Sequence, residues 1–162
     1  MLKKLEKKGV EGVIQLSCEP EQNGPLKLVP VGQVCDPEFM RFSEMQQAIK
    51  AVLRVLDALH KMNLCHCDVR WPNVIFDVKK NTFVLIDFEY VRKVGSELPS
   101  IKPKFIPEGL QKWDVSGDLY QVVRMIQSWA GIHEINFSPW KPGCHETNDV
   151  LKYLESLSLN GV

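Results

Sequence analysis

The chain has 162 residues, with 20 basic and 20 acidic side chains and therefore a formal net charge of zero at neutral pH. This balance gives no electrostatic reason to expect a nucleic-acid partner, and no apolar run approaches the ~20 residues that span a bilayer. Five cysteines without a regular framework favour reduced thiols. We therefore expect one folded domain in the cytoplasm, with the nucleus also compatible, and neither nucleic acid nor a membrane as partner.

Two short apolar runs, at residues 13–16 and 26–31, lie near the start of the chain. Residues 18–25 between them contain proline, asparagine and glycine, which favour a turn. We predict two short strands here, followed by a connection at Pro30-Val31-Gly32.

A long amphipathic helix is predicted next. Ser43 and Gln46 have the spacing of a capping box, so the helix should begin near Ser43. Apolar residues then recur at helical spacing and predict a buried face. They are Met45, Ile49, Val52, Leu53, Leu56, Leu59 and Met62.

The pattern changes to short strands after residue 73. Lys79-Lys80-Asn81-Thr82 predicts the turn of a hairpin. Residues 89–107 are interrupted by glycine and prolines and predict a long loop. Two further helices are predicted, one from Asp118 to Gly131 and one over residues 147–157.

Polar residues cluster between the first helix and the hairpin, in the order Cys65-His66-Cys67-Asp68-Val69-Arg70-Trp71-Pro72-Asn73. A second carboxylate follows in Ile86-Asp87-Phe88. The spacing His-x-Asp-x-Arg-x-x-Asn followed by Ile-Asp-Phe resembles the catalytic loop and metal-binding turn of protein kinases. Ile106-Pro107-Glu108 stands where that family has Ala-Pro-Glu, and Asp118 stands where it has a buried Asp that braces the catalytic loop.

This resemblance implies an α+β, protein kinase-like fold. Residues 1–36 would be the remnant of a small lobe and its hinge, a truncated lobe with two short strands. Residues 37–162 would form a mostly helical large lobe. The motif wording is most similar to divergent kinase-like proteins of the fungal and oomycete type.

The resemblance also implies roles for individual side chains with ATP and Mg²⁺ as cofactors. The catalytic pair would be Asp68, the base, and Arg70, a phosphate contact. The metal ligands would be Asn73 and Asp87, and the backbone of Val31 and Gly32 would meet the adenine ring. Structural support would come from His66, Glu108 and Asp118.

The chain departs from the family pattern in several places. It has no Gly-x-Gly and no Val-Ala-x-Lys, the elements that anchor phosphates in kinases. Cys67 replaces the Arg that pairs with a phosphorylated activation loop in many kinases, and Glu89 replaces the Gly after Asp-Phe. The missing anchors predict an incomplete domain, which would be a fragment, a degenerate copy, or half of an assembled domain whose partner chain supplies the small lobe. The two substitutions predict a site that is not switched in the ordinary way.

Three functions follow from the resemblance. The first is ATP-dependent phosphoryl transfer to Ser/Thr hydroxyls of a protein substrate. The second is a pseudokinase, which is a binding module without turnover. The third is a small-molecule kinase of the choline or aminoglycoside type, which Glu89-Tyr90 favours and Ile106-Pro107-Glu108 opposes.

Overall fold

The structure of the chain, a computed structural model, describes residues 9–16, 28–98, 106–135 and 146–158. Within these ranges the helices are α1 (Phe42–His60), α2 (Val115–Ile132) and α3 (Thr147–Ser158). The strands are all short. They are β1 (Gln15–Leu16), β2 (Leu28–Val29), β3 (Gln33–Val34), β4 (Leu64–Cys65), β5 (Val74–Asp77), β6 (Thr82–Leu85) and β7 (Arg92–Lys93).

Helix α1 lies at the centre of the hydrophobic core, as its apolar spacing predicts. The predicted cap was wrong. The helix begins at Phe42, and the main-chain N–H of Arg41 donates to Glu44 Oε2 at 2.9 Å, so Glu44 rather than Gln46 satisfies the first turn. The buried residues of α1 are Met45, Ala48, Ile49, Ala51, Val52, Leu53, Val55, Leu56 and Leu59.

Helices α2 and α3 cover further parts of this core. Helix α2 starts three residues before the predicted Asp118, because Asp114 caps it by accepting from the N–H of Gly117 at 3.2 Å. The Trp129 indole N–H donates to the carbonyl of Met40, which ties α2 to the segment before α1. Helix α3 lies where it was predicted and adds Val150, Leu154 and Leu157 to the core.

The predicted hairpin is present as β5 and β6. Strand β3 pairs antiparallel with β5, so the sheet has the order β3-β5-β6. Residues 12–14 lie along the other edge, where the N–H of Leu85 donates to the carbonyl of Gly12 at 2.8 Å. Gly12 has a φ of +81°, and a Cβ there would lie 3.2 Å from the Phe83 carbonyl oxygen, so glycine fits both the backbone and the space.

The predicted strand pair near the start of the chain is confirmed by β1 and β2, which pair antiparallel. The turn predicted at residues 18–25 lies outside the described residues. The loop predicted over residues 89–107 is interrupted by β7, which pairs with β4, so the prediction was wrong there. Residues 99–105 of this segment lie outside the described residues. The division at residue 36 stays a prediction, and β3, which lies before it, pairs with β5, which lies after it.

None of the helices in the described ranges is both long and apolar enough to cross a membrane.

Candidate active site

The loop that contains the predicted catalytic residues, residues 65–73, is called the catalytic loop below. It leaves β4, turns through Cys67 at a φ of +72°, and ends in a short 3-10 turn, Trp71–Asn73. A residue with a Cβ is rarely found at such a φ and pays about 1–2 kcal/mol of strain. The surrounding hydrogen bonds must therefore hold this backbone in place.

Asp118 supplies the most concentrated set of these bonds. Its Oδ2 accepts from the N–H of His66 at 2.8 Å, and its Oδ1 accepts from the N–H of Cys67 at 2.9 Å. His60 Nε2 lies 2.9 Å from Oδ2 and must be the donor, because a carboxylate only accepts. Asp118 is fully buried, so the predicted burial of this carboxylate and its bonds to the loop backbone are confirmed.

Gln121, one helical turn further along α2, holds the next part of the loop. Its Oε1 accepts from the N–H of Val69 at 2.9 Å, and its Nε2 donates to the carbonyl of Cys67 at 3.3 Å. The indole N–H of Trp71 donates to the carbonyl of Met125 at 3.0 Å. Helix α2 therefore fixes both the start and the end of the catalytic loop.

Asp68 and Asn73 are brought together as predicted. Asn73 Nδ2 donates to both the main-chain carbonyl and Oδ2 of Asp68, each at 2.8 Å. Arg70 Nε donates to the same Oδ2 at 3.0 Å. The Asp68 side chain is 19% exposed and that of Arg70 is 51% exposed, so the pair borders solvent. The carboxylate is thus oriented by two donors and accessible to a reactant.

His66 joins the catalytic loop to the turn that contains Asp87. It is fully buried, with its ring centre 4.9 Å from that of Phe88. Its Nδ1 accepts from the N–H of Asp68, and its Nε2 donates to the carbonyl of Ile86 at 3.2 Å. Burial lowers the pKa of His66, so the ring is the neutral tautomer with its proton on Nε2.

Asp87 lies in this turn, at a φ of +61° and half-buried. The N–H of Ile86, the residue before it, donates to the carbonyl of Asn73 at 2.9 Å. The two predicted metal ligands therefore belong to adjoining backbone segments, as the hairpin prediction required.

The donor set at this place fits Mg²⁺. Both hydrogens of Asn73 Nδ2 are used by Asp68, which leaves the amide oxygen as the ligating atom. Asp87 offers a carboxylate, and Mg²⁺ prefers such hard oxygen ligands. Gly32 lies against Ile75 and Phe76 in β5, while Asn73 immediately precedes the same strand. One predicted adenine contact, Gly32, and one predicted metal ligand, Asn73, thus lie beside the same strand, β5.

Two predicted site residues, and Cys67 of the catalytic loop, have fewer contacts that bear on their roles. Val31 is 92% exposed, beside Gly32. Glu108 is exposed, and no hydrogen bond or ion pair involving it is found in the described part of the chain, so its supporting role stays a prediction. Cys67 is buried, and desolvation raises the pKa of its thiol to about 12, so it is uncharged where many kinases have Arg.

Sequence reasoning missed His60 and Gln121, which act through Asp118 and the loop backbone. The only sequence signal for them was a polar residue on an otherwise apolar helix face, which does not identify a partner. His60, Cys65 and Asp118 place metal-ligand atoms within 4.8 Å of one another. Since Asp118 already accepts from His60 and two main-chain N–H groups, we interpret this cluster as a hydrogen-bonded network.

Comparison with known proteins finds similarity to protein kinases, at low sequence identity. No protein-family model matches the chain. A protein of Drosophila melanogaster described as a non-specific serine/threonine protein kinase is 24% identical over 94 residues, which cover 55% of this chain and 14% of that protein.

The solved structure of the Cydia pomonella granulovirus kinase, PK-1, matches 93% of this chain with a TM-score of 0.61 and 22% identity. The chain spans 64% of the viral kinase chain, so it corresponds to part of each of these relatives. The predicted fold class is thereby confirmed, whereas the likeness to fungal and oomycete proteins stays a prediction. The chain has a protein kinase-like fold.

Proposed function

We propose that this chain is a phosphotransferase domain that transfers a phosphoryl group from ATP to Ser/Thr hydroxyls of a protein. The observation that supports this most is the Asp68 arrangement. One carboxylate oxygen is held by Arg70 and Asn73, and the loop that carries it is fixed by buried bonds to α2. Such fixed placement is what phosphoryl transfer requires, because positioning and electrostatics supply nearly all of its catalysis.

In this proposal Asp68 orients the acceptor hydroxyl and takes its proton on a carboxylate oxygen. Arg70, already within hydrogen-bond distance of Asp68, places a positive charge beside the reacting groups. Asn73 and Asp87 would hold Mg²⁺, and the backbone at Val31 and Gly32 would hold the adenine ring. ATP would supply the γ-phosphoryl group and leave as ADP, and Mg²⁺ would neutralise charge on the phosphates.

A radiolabelled phosphate-transfer assay on mixed Ser/Thr peptides tests the proposal. Asp68→Asn should lower transfer by about 100-fold or more, because the base is lost while the side-chain shape is kept. Asp57→Asn removes an exposed carboxylate of α1 and serves as the matched control. Transfer that persists undiminished in Asp68→Asn would contradict the assignment.

The same preparation separates the alternative functions. Mg²⁺-dependent ATP binding without transfer would identify a pseudokinase. Transfer to choline or an aminoglycoside but not to peptides would identify a small-molecule kinase. Phosphoamino-acid analysis of the labelled peptides reports Ser/Thr specificity.

We also propose that a partner chain completes the nucleotide site. Val31 is 92% and Val29 37% exposed, which leaves apolar surface next to the predicted adenine contacts. Fusion of a complete kinase small lobe ahead of residue 1 should raise transfer at least tenfold, because it adds phosphate-anchoring groups. An unchanged rate, with Asp68 still required, would show that groups of this chain already supply the anchor.

A further inference from the structure

Trp71 lies between the two residues that orient the proposed base, and it takes no part in the proposed chemistry. It opens the short 3-10 turn Trp71–Asn73, which is preceded by Arg70 as its N-cap. The N–H of Asn73 donates to the carbonyl of Arg70 at 2.9 Å, and the N–H of Val74 donates to the carbonyl of Trp71. A shift of Trp71 would therefore move Arg70 and Asn73 together.

The indole of Trp71 anchors this turn to α2. Its Nε1–H donates to the main-chain carbonyl of Met125 at 3.0 Å, in the middle of the helix. A carbonyl oxygen has two lone pairs, so this one can accept the indole N–H as well as a helical N–H. The ring is 6% exposed and belongs to the same core cluster as Val69 and Met125. Both the hydrogen bond and the packing thus hold the turn in one place relative to α2.

The backbone and the carboxylate of Asp68 are held by different groups. Two side chains of α2 bind main-chain N–H groups before and after this residue, which fixes its backbone. The carboxylate Oδ2 instead accepts from Asn73 Nδ2 at 2.8 Å and from Arg70 Nε at 3.0 Å. Since the turn carries both donors, the orientation of the carboxylate depends on where Trp71 holds the turn.

We propose that Trp71 is a positioning residue for phosphoryl transfer, which keeps the Asp68 carboxylate aimed at the acceptor hydroxyl through Arg70 and Asn73. Trp71 itself touches no reacting group. The inference rests on the proposed phosphotransferase function, because that function makes Asp68 the base. Loss of the indole hydrogen bond should therefore slow transfer as long as Asp68 is there to be misplaced.

Trp71→Phe tests this, since it keeps an aromatic ring in the core and removes the N–H donor. Radiolabelled transfer to mixed Ser/Thr peptides should fall about tenfold, because a misplacement of about 1 Å can cost up to ~100-fold in rate. In the Asp68→Asn background the same change should have almost no further effect, because residues that act as a unit are not additive. A purely structural role would lower transfer by the same factor in both backgrounds.

Trp129→Phe is the matched control. Trp129 is 2% exposed, and its indole N–H donates to the carbonyl of Met40 at 2.9 Å, outside the catalytic loop. Both variants lose an indole donor from a buried bond to a main-chain carbonyl, so thermal melts should show similar losses of stability. Transfer should fall in Trp71→Phe and not in Trp129→Phe. If Trp71→Phe does not fold, replacement of Trp71 by benzothienylalanine, which keeps the bicyclic shape and lacks the N–H, carries the same test.

A second measurement needs no turnover. Both hydrogens of Asn73 Nδ2 are bonded to Asp68, so hydrogen exchange of this side-chain amide, followed by NMR, reports how firmly the carboxylate is held. Exchange should be at least about fivefold faster in Trp71→Phe, because the turn is no longer tied to α2. It should be unchanged in Trp129→Phe.

Unchanged transfer in Trp71→Phe would overturn the proposal, as would an equal fall in Trp129→Phe or in the Asp68→Asn background. In each of these cases the proposed phosphotransferase function would stand. Unchanged exchange of the Asn73 amide in Trp71→Phe would also overturn the proposal, because the turn would then be held without the indole bond. Faster exchange in a chain that transfers no phosphate would support the placement of Asp68 by Trp71 and contradict the proposed function.

Discussion

The catalytic loop and the segment of residues 29–39 are joined through one sheet, yet they differ in how the chain covers them. The loop backbone is bound by Asp118 and Gln121 from α2, and its His66 is fully buried. In the 29–39 segment, by contrast, Val31 is 92% and Phe39 79% exposed. The fold thus fixes the groups proposed for proton transfer, and it leaves apolar surface next to the proposed nucleotide contacts.

Of the variants that test this difference, Asp118→Ala should have the largest effect on stability. It removes three hydrogen bonds and leaves the N–H groups of His66 and Cys67 buried without an acceptor. It also removes the restraint on the strained φ of Cys67. We expect a loss of about 3 kcal/mol in the free energy of unfolding, measured by urea denaturation.

Asp57→Ala is the control for that variant. Asp57 pairs with Lys61 on the surface of α1, with its side chain 47% exposed, and should change stability by less than about 0.5 kcal/mol. Equal losses in the free energy of unfolding would show that the buried hydrogen bonds of Asp118 stabilise the fold no more than the exposed ion pair of Asp57 does.

Gln121→Ala should have the next largest effect. The variant leaves the N–H of Val69 and the carbonyl of Cys67 without their buried partner. We expect a loss of about 2 kcal/mol in the free energy of unfolding, by the same denaturation. Gln111→Ala, at an exposed position, is the control and should be nearly neutral. A neutral Gln121→Ala would mean that water replaces the amide at no cost.

The sequence predicted the helices through their periodic apolar spacing, and the contacts of the central motif through its resemblance to the protein kinase pattern. The apolar spacing of α1 repeats over five turns, and the order of Asp68, Asn73 and Asp87 fixed which loops should adjoin. Single polar side chains such as His60 and Gln121 carry no periodic signal, because their partners lie more than 50 residues away. Their roles depend on tertiary packing alone.

The smaller errors have similar causes. Strands β4 and β7 consist of two residues each, too short to show alternation. The cap of α1 uses a Glu side chain and a main-chain N–H, so it did not need the Ser43 that the capping pattern predicted. The supporting role of Glu108 is not one of these errors and stays a prediction, because motif order predicts a position along the chain but does not identify a partner.

The burial of His66 predicts a pH dependence of stability. Because burial lowers the pKa of His66 in the folded state, the unfolded state, with the ordinary pKa near 6.5, binds the proton at a higher pH than the folded state does. Stability should therefore decrease from pH 7 towards pH 5, by at most about 1.4 kcal/mol per pH unit from this group. His66→Gln should flatten that slope, measured by denaturation at a series of pH values.

His133→Gln removes an exposed histidine and is the control for this experiment. Its slope between pH 7 and pH 5 should remain close to that of the unmodified chain. If His66→Gln leaves the slope unchanged while His133→Gln flattens it, the buried ring is not the group that couples protons to folding.

The smallest expected effect concerns the exposed segment of residues 29–39. Val31→Ala removes two methyl groups that are mostly in contact with solvent already, so stability should change by less than about 0.5 kcal/mol. Val74→Ala makes the same chemical change in β5, immediately after the catalytic loop, where the side chain is fully buried. It should cost about 2 kcal/mol, because apolar contacts are lost and a cavity remains. Paired urea denaturations measure both, and a loss above about 1 kcal/mol for Val31→Ala would show that this valine is covered within the folded chain.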